Sequence, residues 1–79
     1  MDVVFKGQIV LFGGGFAPVG WHLCDGTLLQ VSQYPELFSI LGTKFGGSGL
    51  MNFGLPKLAN VGDAVYIIAL EGSYPERPN

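Results

Sequence analysis

Ala64-Val65-Tyr66-Ile67-Ile68-Ala69-Leu70 is the longest apolar run of the chain, closed off by Asp63 before it and Glu71-Gly72 after it. It is rich in β-branched residues and apolar at every position, as a strand buried on both faces has to be. The run predicts a central strand, and the remaining segments are read around it. Gly7-Gln8-Ile9-Val10-Leu11-Phe12 reads as a short strand broken by Gly13-Gly14-Gly15. Phe16 to Gly20 is a turn, with Pro18 pre-setting φ and Gly20 able to take φ > 0. Trp21 to Cys24 is a strand fragment, and the turn Asp25-Gly26 predicts a hairpin whose second arm is Leu28 to Val31.

Only Ser32 to Gly42 predicts a helix. Pro35 suits a first helical position, Glu36 a first turn, and Leu37, Phe38, Ile40 and Leu41 share one face before Gly42 stops the run. Gly46-Gly47-Ser48-Gly49 is a loop, and Asn52 to Pro56 is extended because Pro56 disfavours helix at Leu55. Ser73 to Asn79, with Pro75 and Pro78, predicts a mobile exit. The expected architecture is α+β: one loop-rich domain over residues 1–79, with short strands and hairpins around one short helix.

A chain of 79 residues gains about 3–5 kcal/mol from its core alone, so a domain of this size usually adds a disulfide, a metal or a partner chain. The only cysteine, Cys24, excludes an intrachain disulfide, and the only histidine, His22, leaves no Cys/His zinc site within one chain. Oligomerisation remains. The composition agrees, with 48% hydrophobic and 13% charged residues and a mean hydropathy of +0.40. A net charge of −2 and the scattered Lys6, Lys44, Lys57 and Arg77 argue against a nucleic-acid partner. No apolar run approaches the roughly 20 residues of a membrane span, and the N-terminus makes a poor secretory signal.

Catalytic constellations are thin. Gly47-Ser48-Gly49 is followed by Leu50 and so fails the nucleophile-elbow pattern G-x-S-x-G. Cys24 and His22 share a strand face but have no third group to orient them, so Cys24 reads as a buried filler and His22 as a strand residue. Gly13-Gly14-Gly15 and Gly46-Gly47-Ser48-Gly49 lack the continuation of a dinucleotide or phosphate loop, and read as turns. Phe5, Phe12, Phe16, Trp21, Phe38, Phe45 and Phe53 read as core and subunit contacts, since no basic residues are interleaved for base stacking. No catalytic residue, cofactor or metal ligand is expected.

The order of the unusual residues is more specific. Gly7, then Pro18-Val19-Gly20-Trp21 with Cys24-Asp25-Gly26, then Leu37-Phe38 with Gly42 and Gly46-Gly47, then Phe53-Gly54-Leu55-Pro56 resembles the phage tail collar domain of short tail fibres and of microcystin-dependent proteins. The resemblance spans residues 7–72. It implies a virion-tail or extracellular phage-tail-like particle as the location, with synthesis in the bacterial cytoplasm. It further implies a homotrimer or higher ring docked to tail, baseplate or fibre subunits of a contractile particle, with a glycan-binding tip as the alternative. Lys57 and Ala59-Asn60 depart from the family pattern, and only Val61-Gly62-Asp63 separates Asn60 from the last strand, where relatives carry a long insert. A minimal collar with no upstream shaft is therefore expected, acting as a plug, tip or adaptor. Within it Trp21 is expected to enter the core beside Cys24, Asp25-Gly26 to make the hairpin corner, and Phe53 and Leu55 to anchor an extended arm.

Overall fold

The structure is a computed structural model that describes residues 3–76. Its strands are β1 (Ile9–Phe12), β2 (Trp21–Leu23), β3 (Leu28–Gln30), β4 (Asn52–Gly54) and β5 (Val65–Ala69), with one helix, α1 (Pro35–Leu41), between β3 and β4. The apolar run is the central strand of a three-stranded sheet ordered β1-β5-β2, antiparallel to both neighbours. Ile9 lies opposite Ile68 and Phe12 opposite Val65, while Trp21 lies opposite Ala69 and Leu23 opposite Ile67. Strand alternation then assigns the faces. Ile68, flanked by Tyr66 and Leu70, joins Cys24, Leu37, Leu41, Phe53 and Leu55 in the main core. Ile67 and Ala69 are buried on the opposite face, which explains why the run shows no polar position.

The start of β1 is set by one glycine. Gln8 N donates to Phe5 O at 3.0 Å, closing a turn in which Gly7 has φ +84°. Gly7 N donates to Ala69 O and Ala69 N to Gln8 O, both at 2.9 Å, so two residues of the first strand oppose one of β5. This is a glycine bulge, and it fixes the register of everything that follows in β1.

The Trp21–Cys24 and Leu28–Val31 segments do not form the expected hairpin. β2 pairs with β5, whereas β3 pairs with β4 in a separate two-stranded sheet, with Leu29 opposite Phe53. The reason lies in Asp25. Its Oδ1 accepts from Thr27 N at 3.1 Å and from Thr27 Oγ1 at 2.5 Å, an Asx turn that redirects the chain instead of folding it back. The helix also begins later than Ser32. Pro35 disfavours helical dihedrals at the preceding residue, and Tyr34 has φ −133° and ψ 56°. Gln33 and Tyr34 instead donate to Gln30 O in a separate turn. At the other end Gly42, at φ 58°, stops the helix as expected, its N–H donating to Phe38 O at 2.7 Å.

The exit expected to be mobile from Ser73 is tethered at its first residues. Ser73 N donates to Val4 O and Ser73 O accepts from Lys6 N, each at 2.9 Å, and the Tyr74 and Ser39 hydroxyls lie 2.6 Å apart. Arg77, Pro78 and Asn79 lie outside the described residues.

Phe53 is fully buried, with its ring centroid 5.5 Å from that of Phe38. Phe53→Ala is expected to cost about 3–5 kcal/mol. That is comparable to the whole stability of so small a domain. Denaturant melts should show a chain with no cooperative transition at room temperature.

Candidate functional site

The sequence motif builds a seam between the two sheets. Cys24 N donates to Tyr66 O, which closes the end of β2 on β5. One residue on, the chain turns at Asp25-Gly26 and meets the Leu55-Pro56-Lys57-Leu58 segment. There Leu58 N donates to Cys24 O and Leu55 N to Thr27 O, each at 3.0 Å, with Asp25 bridged to Lys57. Gly26 has φ +84°, a conformation that favours glycine, and packs against the Lys57 side chain, whose Cβ would stand in ordinary contact at 3.5 Å from a Cβ added there. The Cys-Asp-Gly and Leu-Pro positions are therefore two halves of one joint. Cys24 is 4% exposed, and burial together with the Asp25 carboxylate pushes its thiol pKa up. The Thr27 hydroxyl, hydrogen-bonded to Asp25, holds that carboxyl below its ordinary pKa despite its exposure.

Trp21 is not in that core. Trp21 N donates to Pro18 O at 2.9 Å and Gly20 O accepts from Leu70 N at 2.8 Å, so the Pro18–Gly20 turn does set the start of β2. But Trp21 pairs with Ala69 on the face opposite Ile68, and strand alternation puts it on the other side from Cys24. It is half-buried and lines an open cleft of about 340 Å³ with Phe16, Ala17, His22 and Leu23. His22 Nδ1 lies 2.8 Å from Leu23 O, a distance at which the ring donates, and 4.0 Å from Asp25 Oδ1. Among the described residues no group of three His, Cys, Asp or Glu side chains is placed to hold a metal.

The second glycine cluster has a packing cause. A Cβ on Gly47 would overlap the Phe53 Cα, and a Cβ on Gly54 would stand 2.5 Å from Phe45 O. Backbone therefore packs on backbone, with Gly54 N donating to Gly46 O at 2.9 Å. Beyond this contact the loop is locked by its own polar groups. Asn52 Oδ1 accepts from Ser48 N at 2.8 Å, and Ser48 Oγ accepts from Leu50 N and Met51 N at 3.2 Å. The locked loop holds Leu50 (85% exposed) and Met51 (76% exposed) out in solvent. Val19, at the tip of the Pro18–Gly20 turn, is 99% exposed. Leu50 and Met51 were not singled out from the sequence, and the signal for them was Ser48 and Asn52 flanking an apolar pair inside a glycine-rich loop.

The sequence matches the family described as Phage Tail Collar Domain over residues 7–61. This chain belongs to that family. The matched segment runs from the glycine bulge through β1 to β4 and the seam, and stops four residues before β5. Among curated proteins, Protein RhiB of Rhizobium leguminosarum bv. viciae is 52% identical over 27 residues, a stretch covering 34% of this chain and 12% of RhiB. The match thus spans a small part of RhiB's length. No solved structure matches. The collar domain is a structural domain of phage tails, and its motif residues here hold backbone geometry. In this collar domain no helix among the described residues is long and apolar enough to cross a membrane.

Two outcomes follow from the site geometry. Trp21→Ala should cost about 2 kcal/mol, roughly half the penalty of emptying a core aromatic site. The variant should remain folded, with a lowered melting temperature by circular dichroism. Cys24 should react slowly with a thiol reagent in the native chain and rapidly in denaturant, because a buried thiol with a raised pKa offers little thiolate. Fast native labelling would show that the seam opens.

Proposed function

We propose that this collar domain is a non-enzymatic structural component of a phage tail or phage-tail-like contractile particle. It serves as a collar, plug, tip or fibre adaptor, acting by self-association into a homotrimer or higher ring and by docking to neighbouring tail, baseplate or fibre subunits. The observation that carries the reading is the combination of a locked scaffold with solvent-facing apolar side chains: Val19, Leu50, Met51 and Phe16 are all more than half exposed. A rigid loop loses little conformational entropy on docking, and apolar contacts at the centre of an interface supply its affinity. The composition supports the same reading, because with a single cysteine a domain of this size has no intrachain disulfide to stabilise it alone. Its subunits would be made in the bacterial cytoplasm and reach the exterior as part of the particle.

A second reading, a tip that binds a cell-surface glycan, is favoured by the Trp21–Phe16 cleft with His22 at its side. Aromatic faces beside a polar ring suit the apolar face of a sugar.

The first reading expects a solution mass that is a multiple of 8.4 kDa, and particles that lack a tail substructure when the gene is deleted. A folded monomer at micromolar concentration by light scattering would overturn self-association. Glycan-array binding abolished by Trp21→Ala would favour the second.

A further inference from the structure

We propose that the outer edge of β1 is a self-pairing surface. Ile9-Val10-Leu11 of one chain adds antiparallel to the same strand of a second copy and joins two three-stranded sheets across a twofold axis. The proposal rests on the self-association argued above and specifies how two copies meet.

β1 ends the order β1-β5-β2, so among the described residues no strand lies beside one of its sides. The ladder fixes which groups face outward. Gln8 O accepts from Ala69 N, and hydrogen-bonded and non-bonded positions alternate along an antiparallel pair. Val10 and Phe12 therefore direct their N–H and C=O groups at β5, as Gln8 does its C=O, while the N–H and C=O groups of Ile9 and Leu11 point away. Among the described residues no turn, loop or side-chain group bonds to the backbone of Ile9 or Leu11. The opposite rim of the sheet is different. On β2, Trp21 N is taken by Pro18 O and Leu23 O by the His22 ring, so two of its outward groups are engaged by local bonds. The two rims of one sheet are thus unequal, and continuation by β1 onto β2 of another copy meets engaged groups.

Exposed edges are normally protected by charge, proline, a bulge within the strand or a covering segment. Gln8 to Phe12 contains neither charge nor proline, and the bulge at Gly7 precedes the strand. Ile9 is 38% exposed and Leu11 47%. In an antiparallel pairing centred on Val10, Ile9 comes opposite Leu11 of the second copy, Leu11 opposite Ile9, and Val10 opposite Val10. Apolar side chains meet on both faces and no charge is buried, while a net charge of −2 per chain opposes contact only weakly. A second copy also brings an edge with the same unpaired groups, so one contact satisfies both. A twofold contact of this kind singles out the even-numbered members of the assemblies proposed above, such as a hexamer built as two trimers.

The chain is short enough for total chemical synthesis, which allows a test at a single atom. N-methylation of Leu11 removes one of the two outward donors and blocks the rim with a methyl group, while leaving every side chain and the β5 ladder in place. The expected result is a sedimentation mass half that of the unmodified chain, with an unchanged far-UV spectrum. Leu11→Lys should halve the mass in the same way. N-methylation of Val10, which faces β5, should instead unfold the chain. A native spectrum with undiminished mass after Leu11 methylation would overturn edge pairing while leaving self-association standing. So would an odd-numbered assembly of the unmodified chain, or unfolding caused by Leu11 methylation. A monomeric unmodified chain would overturn self-association and the pairing with it.

Discussion

Among the described residues, neither β1 nor β2 pairs with any strand but β5. The whole three-stranded sheet depends on the last strand of the chain being inserted between the first and the second. That insertion is costly in chain entropy, because a segment ending at Ala69 has to find partners that begin at Ile9. It is repaid by burial on two faces. Ile68 closes the main core below the helix, and Ile67 and Ala69 close the other face under Val10, Trp21 and Leu23, their register partners. A strand serving two faces cannot carry a polar side chain. This is the physical content of the uninterrupted run from Ala64 to Leu70, and the reason it could be placed at the sheet centre from sequence alone.

The same dependence explains what was misread. The Trp21–Cys24 fragment and the Leu28–Val31 fragment are adjacent in sequence and separated by Asp25-Gly26, a pair that signals a tight hairpin. Local chemistry pointed to a hairpin, but the inner edge of β2 is already occupied by β5, and Thr27 turns Asp25 into an Asx cap. Propensity cannot reveal that a residue some forty positions away competes for an edge. Trp21 was misplaced by the same route. Once β2 is fixed against β5, its register puts Trp21 opposite Ala69, away from Cys24, and a large aromatic that looked like the core anchor lines a cleft instead. The helix was better defined, because Pro35 and Gly42 act on their own backbone. Ser32 to Tyr34 stay outside the helix because Pro35 constrains the residue before it.

The motif residues fall into two mechanical groups, neither of which involves side-chain chemistry. Gly47 and Gly54 permit contact between backbones, so that the loop after the helix is pressed onto β4. Cys24, Asp25, Gly26, Leu55 and Pro56 form the seam that holds the two-stranded sheet against the larger one. Both groups were visible as an ordered pattern of unusual residues, and the pattern identified the family. What it could not reveal was the surface, because Leu50 and Met51 are ordinary apolar residues until Ser48 and Asn52 are seen to hold them outward.

A domain this small faces a conflict between stability and association. Apolar residues spent on the exterior are lost to the interior, whose buried hydrophobic members among the described residues are Cys24, Leu37, Leu41, Phe53, Leu55, Ile67, Ile68 and Ala69. The structure resolves the conflict through backbone hydrogen bonds and glycine contacts, which order the loops without consuming hydrophobic side chains. The Asn52 amide and Ser48 hydroxyl order a loop that would otherwise need its own core, and the glycine bulge at Gly7 sets a strand register that would otherwise need a longer strand. Leu50, Met51, Val19 and the Ile9–Leu11 edge are thereby left free for contacts outside the chain. The polar and glycine positions of the motif are thus the reason the apolar ones can face outward.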